Sequence, residues 1–241
     1  MVTRPDQGRV IQRGYAQTQS AEIDAGLRTH MQKVYGYMAG GLAITGAISY
    51  FVGNNEVLLQ AIYGTPLAWV VMFAPLVFAF IFGMRIHAMS SASAQILFWV
   101  FAGVMGLSLS YIFAVYTDAS IVRTFFISAG TFLAMSLYGY TTKRDLSGMG
   151  SFLIMGVFGL ILASIVNLFL GSSALEFAIS VIGVLLFTGL AAYDTQKVKE
   201  FYWEADGHEV ATKKSILGAF VLYMDFINLF LFMLRFLGNR E

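Results

Sequence analysis

The sequence contains no cysteine. Disulfides, zinc–thiolate sites and thiol nucleophiles are therefore excluded, and the redox state of the compartment leaves no trace. Charge is also scarce. Lys, Arg, Asp and Glu make up 12% of the 241 residues, about half of the roughly 25% usual in soluble domains. The net charge of +1 comes with no basic stripe interleaved with aromatics, which excludes nucleic acid as a partner. The first 33 residues hold no apolar core followed by a small-residue cleavage site, so no removable signal peptide is expected. What remains is apolar: 58% hydrophobic and 15% aromatic, with a mean hydropathy of +0.71. This is the composition of a membrane protein.

Of the 29 charged residues (15 basic, 14 acidic), eight lie between Val34 and Tyr193. They are Glu56, Arg85, Asp118, Arg123, Lys143, Arg144, Asp145 and Glu176. The uncharged runs between them, 34–55, 57–84, 86–117, 124–142, 146–175 and 177–193, predict six transmembrane helices, since a span takes about 20 mostly apolar residues. The last run is short, and its helix can begin at Ser172. A seventh span runs from about Ser215 to Leu237. The expected architecture is an all-α, seven-helix membrane bundle over residues 34–241, preceded by a polar, partly disordered tail over 1–33. Arg4, Arg9, Arg13, Arg28 and Lys33 place that tail in the cytoplasm, and alternating loops agree. Arg85, Lys143, Arg144, Lys197, Lys199, Lys213 and Lys214 fall on one side. The opposite loops carry GNNE, TDAS with Arg123, and GSS. This predicts an inner (plasma) membrane protein with its N-terminus in and its C-terminus out, against the bias of Arg235 and Arg240. Gly36-Tyr-Met-Ala-Gly40 has the small-xxx-small spacing of close helix packing.

The segment AFVLYMDFINLFLFMLRF, residues 219–236, carries one carboxylate, Asp225. Such a group costs roughly 2.5–3.5 kcal/mol at the centre of a membrane helix and calls for a partner. A second aspartate, Asp194, ends the sixth run, 31 positions earlier, and the midpoint lies beside the turn dipeptide Asp206-Gly207. If helix six continues past the membrane and turns there, both aspartates return to similar depth, about 15–20 Å from the turn at 1.5 Å per residue. Asp194, near a run's end, could instead cap a local backbone group. Two adjacent carboxylates do not both ionise easily, so the pair should titrate as a unit. The same oxygens suit a hard cation such as calcium, but two carboxylates supply at most four of the six to eight ligands it takes. Waters, carbonyls or Asn228 would have to complete the set, so calcium binding should be weak. No other cofactor is expected.

Arg85, at the end of the second run, reads either as a positive-inside residue or as a cation reaching back to the aspartates. His87 and His208 read as solvated loop histidines without metal-ligand spacing.

Three segments, YTTKRDLSGMGSFLIMG (140–156), GLAAYDTQKVKEFY (189–202) and LYMDFINLFLFMLRFLG (222–238), resemble the Bax inhibitor-1 family, the transmembrane BAX inhibitor motif proteins, in its bacterial branch. The resemblance covers roughly residues 20–241. It implies six helices around a central seventh and a pH-dependent calcium leak through the membrane. It also implies a paired-aspartate pH sensor matching Asp194 and Asp225, with calcium at the same carboxylates and Arg85 as the candidate latch to Asp194. Some bacterial relatives associate with a membrane-bound ATP-dependent protease, which implies an alternative role in membrane protein quality control. Regulation through a long basic C-terminal tail, which the resemblance would also imply, is not expected of a sequence ending Gly-Asn-Arg-Glu.

An enzyme is disfavoured. Intramembrane aspartyl proteases share Tyr193-Asp194, but their second motif is Gly-x-Gly-Asp, where this chain has Leu222-Tyr223-Met224-Asp225. Their Pro-Ala-Leu loop is also missing, since the three prolines are Pro5, Pro66 and Pro75. A retinal protein would need a Schiff-base lysine, and none lies between Ser215 and Glu241. The leading expectation is a pH-sensitive calcium leak channel or transporter with lipid, calcium and protons as partners.

Overall fold

The computed structural model describes residues 6–239, with side chains from Ala25 onward. Among them the fold is helical, with no strands. The elements are α1 (Asp6–Gly53), α2 (Glu56–Tyr63), α3 (Leu67–Arg85), α4 (Ser91–Leu109), α5 (Asp118–Thr141), α6 (Ser147–Leu170), α7 (Ser173–Glu200) and α8 (His208–Leu237). A five-residue 3₁₀ segment, Ser110–Ala114, extends α4. Six segments are long and apolar enough to cross a membrane: Leu67–Arg85, Ser91–Ala114, Asp118–Thr141, Ser147–Leu170, Ser173–Glu200 and His208–Leu237.

Local chemistry sets the boundaries. Asn55, Ser90, Thr117 and Ser172 each accept a hydrogen bond from the backbone N–H three residues on, capping α2, α4, α5 and α7. Ser172 thus opens α7, as the sequence suggests. Gly171 ends α6 in the left-handed conformation (φ 60°), which only glycine adopts without strain. The run 57–84 does not form one helix. Gly64-Thr65-Pro66 breaks it into α2 and α3, because proline has no N–H for the preceding turn and glycine stops α2. Pro75 lies inside α3 nonetheless.

The division at 33/34 also changes. α1 is continuous through it for 48 residues, so the segment before the first apolar run is helical and Met31 is buried. The polarity change there marks a change of solvent rather than a change of fold. The side chains of Arg4, Arg9, Arg13 and Arg240, used for orientation, lie outside the described residues.

Burial sorts the helices. Two thirds (67%) of the most apolar stretch of α8 is buried, against 11% for α6 and 17% for α3. α8 packs against α7, α1, α5 and α4, whereas α6 packs on α7, and α3 on α4 and α2 with the Phe82 ring reaching α8. The faces that α3 and α6 leave open are large and apolar, such as Phe80 (68% exposed) and Phe169 (87%). Surfaces of that kind suit hydrocarbon as solvent. Stacked rings tie α8 to its neighbours: Phe82 lies on Phe220 at 4.4 Å, and Phe187 on Phe232 at 5.6 Å.

Glycine permits the closest approach where α5 and α6 meet α7. A Cβ on Gly139 would run into the Ala192 carbonyl, and one on Gly150 into the Tyr193 ring. Of the predicted Gly36/Gly40 pair, Gly40 packs under Trp99 but Gly36 faces open space. Gly139→Ala should therefore cost about 1–3 kcal/mol by forcing α5 off α7. Gly130→Ala, on the same helix and with nothing within 4 Å of where its Cβ would stand, should be neutral or slightly stabilising. Thermal unfolding of both variants in detergent checks this, and equal losses would remove the packing role of Gly139.

Candidate functional site

The chain turns over between α7 and α8 where the Asp206-Gly207 dipeptide predicts. α7 ends at Glu200 and α8 starts at His208, with Gly207 extended at its N-cap. The two helices are then antiparallel neighbours, and Asp194 and Asp225 come within hydrogen-bonding reach of each other. Such a carboxyl–carboxyl contact needs a proton on one partner. Asp225 is 6% exposed and its Oδ2 has no hydrogen-bond partner, while Asp194 is half-buried. Asp194 does not act as a terminal cap, because α7 continues for six residues beyond it.

Hydroxyl bonds cross the helices at residues next to the pair in sequence. Tyr35 on α1 meets Ser136 on α5 at 2.6 Å, and Ser136 meets Thr195, next to Asp194, at 2.8 Å. Thr195 donates to the Ala191 carbonyl one turn back. On the other side Tyr223, fully buried, bonds Thr45 at 2.7 Å, with the rings of Phe98 and Phe101 edge-on to it. These hydroxyls therefore satisfy each other across helices.

Gln196, also buried, fixes the α5–α6 loop. Its Oε1 accepts from Leu146 N–H at 2.8 Å, and its Nε2 donates to the Arg144 carbonyl at 2.9 Å. Lys199 donates to the Tyr140 carbonyl at 3.0 Å. Two of the segments that carry the family resemblance, 140–156 and 189–202, are thereby one physical unit. At the loop, Ser147 donates to Asp145 and holds that carboxyl below its ordinary range.

Arg85 is not brought to the aspartates. It ends α3, exposed, and the ion pairs among the described residues are Lys197–Glu200 and Lys214–Asp206. The α3–α4 loop is tied to α8 by other groups. Glu209 accepts from Ser91 N–H and Oγ–H at 2.5 and 2.6 Å, and Lys213 donates to the His87 carbonyl at 3.4 Å. Asn228 donates to its own helix, at the Met224 carbonyl, and no group of three or more acidic or histidine side chains forms a cluster among the described residues. A cation at the pair would draw its other ligands from hydroxyls, carbonyls and water. His87 and His208 are exposed, as expected.

Sequence reasoning passed over His30. It is buried, with Nε2 3.2 Å from the Val198 carbonyl and Nδ1 3.1 Å from Ser215 Oγ, so it joins α1 to both helices of the hairpin. Burial, aided by Lys214 and Lys33, holds its pKa below the ordinary value. Tyr35, Thr45 and Ser136 were equally invisible, because single hydroxyls on membrane helices carry no local pattern. Thr195 and Tyr223, each within two residues of an aspartate, were the signal available.

The family model described as inhibitor of apoptosis-promoting Bax1 matches residues 27–241. The chain belongs to the Bax inhibitor-1 family. It is 53% identical over 219 residues to RP147 of Rickettsia prowazekii (strain Madrid E), covering 91% of this chain and 93% of that one. It is 45% identical over 220 residues to inner membrane protein YbhL of Escherichia coli K12, covering 90% and 94%. A Caulobacter vibrioides protein is 46% identical over 245 residues, covering 95% and 98%. The family match spans the aspartate hairpin, the α5–α6 loop, helices α2 to α8 and α1 from residue 27 onward.

Gln196→Leu should lower stability by about 1–3 kcal/mol, since it strands a buried N–H and a carbonyl. Thermal unfolding in detergent reads the loss. An unchanged midpoint would mean that the loop is held elsewhere.

Proposed function

We propose that this chain is a pH-sensitive calcium leak channel or transporter of the inner membrane, gated by the Asp194–Asp225 pair. The observation that supports it most is a buried carboxyl pair, one oxygen of which has no partner, inside a bundle otherwise bathed in apolar surface. A structural role alone would favour satisfied or apolar groups at that depth. A proton and a calcium ion compete for the same oxygens, so protonation closes the pair on itself and deprotonation opens it to a cation. Tyr35, Ser136 and Thr195 form a hydroxyl chain from α1 to the residue after Asp194.

In this reading the second half of α1 is the first of seven crossings, α8 is the central helix, and the basic loops face the cytoplasm with the N-terminus. The inner-membrane placement follows from similarity to YbhL. Arg85 acts as a latch in a second conformation. α3 packs on α2 and α4 and reaches α8 through Phe82, and a shift of this outer helix would carry Arg85 toward Asp194.

Calcium flux into proteoliposomes, measured across about pH 5–8, tests the pair. Wild type should vary strongly with pH. Asp194→Asn or Asp225→Asn alone should flatten most of that dependence, and the double variant should add little. Independent, additive effects would show that the carboxyls do not share a proton. Arg85→Ala should raise flux at neutral pH, and an unchanged flux would reduce Arg85 to a positive-inside residue.

A further inference from the structure

α1 and α5 both pack on α8, yet their backbones do not meet. Tyr35 and Ser136 bridge the gap through their hydroxyls. The cleft between the two helices holds two cavities. The one at the basic end of the bundle, about 480 Å³, is lined by Arg28, Tyr35, Ser136 and Tyr140 together with Leu133 and Leu137. The second, about 220 Å³ and farther along, is walled by Leu42, Ile121, Phe125, Phe226 and Phe230. The rim is apolar and open: Leu133, Leu137, Val122 and Phe126 are all more than half exposed. The cleft therefore opens sideways, where the bilayer lies.

We propose that this cleft binds one anionic phospholipid, headgroup at Arg28 and acyl chain along α1 and α5 toward the second cavity. Charge argues for the headgroup. Arg28 is exposed at the mouth and takes no part in the ion pairs formed among the described residues. A guanidinium binds phosphate oxygens bidentately, and the Tyr35 and Tyr140 hydroxyls supply further polar groups beside it. Length argues for the chain. Arg28 to Leu42 is about 21 Å of helix at 1.5 Å per residue, close to one leaflet's share (about 15 Å) of the hydrocarbon core plus the headgroup region. A zwitterionic lipid would meet Arg28 with its phosphate but bring a second cation to the same place. The lipid would lie against Tyr35–Ser136–Thr195, one residue from Asp194, and the assignment stands whether or not that pair gates an ion.

The test uses the full chain. Native mass spectrometry of the purified protein compares retention of phosphatidylglycerol and phosphatidylcholine. In proteoliposomes, phosphatidylglycerol with a photoactivatable acyl chain maps the contact. Phosphatidylglycerol should be retained preferentially, and cross-links should concentrate in 31–46 and 121–137. Arg28→Ala should weaken phosphatidylglycerol retention about fivefold, the worth of one basic residue at a membrane surface, and weaken phosphatidylcholine retention less, narrowing the preference. Leu133→Trp, which fills the cleft without touching the charge, should reduce cross-linking there. Phosphatidylglycerol retention indifferent to Arg28→Ala overturns the assignment. So do cross-links no denser in the cleft than on the lipid-facing surfaces of α3 and α6.

Discussion

Asp225 can sit 6% exposed in the most buried helix only because Asp194 stands opposite it. An isolated carboxylate among these phenylalanines would have neither water nor a counter-charge, a state that membrane helices avoid. The requirement that the two meet governs much else. The α7–α8 turn has to fall near their midpoint, and the two helices have to pack closely and in register. The hairpin satisfies both through Gly207 at the start of α8 and small residues along the α7 seam.

Around that pair, polarity is rationed by position. Each buried hydroxyl near the aspartates is matched across a helix interface, as in Tyr35–Ser136–Thr195 and Thr45–Tyr223. Away from it, α3 and α6 spend their side chains on hydrocarbon contact and touch few other elements. Loosely held outer helices about a tightly packed α8 are the arrangement in which a change of charge at the centre can be answered by motion at the edge. The pinned element is the α5–α6 loop, which Gln196 and Lys199 hold beside Asp194.

Five of the six apolar spans fall on uncharged runs, the sixth is the Asp225 segment, and the run 34–55 lies in α1, which is not among the six. The hairpin shows through Asp206-Gly207, a signal as local as the runs. Ser172 as the start of α7 was legible for the same reason. The break at Gly64-Thr65-Pro66 was written in the sequence too, but a charge-based division passes over uncharged breakers. The helical segment before Val34 was missed because polar composition reports solvent, and a helix can cross from one solvent to another without interruption. Gly36 and Gly40 have the right spacing for packing, yet only Gly40 meets a neighbour.

By itself the sequence determined the class of molecule, the family, the placement of most of the apolar helices and the turn that folds α8 back on α7. Those follow from composition, helical rise and turn chemistry, all of which act between residues near in sequence. Tertiary structure alone decided which hydroxyls meet across the helices, that His30 binds the hairpin, that Arg85 stands apart from Asp194, and that α1 and α5 leave a cleft. Those depend on how helices distant in sequence rotate and pack against α8, and a side chain's partner across such an interface leaves no mark on its own neighbours in the chain.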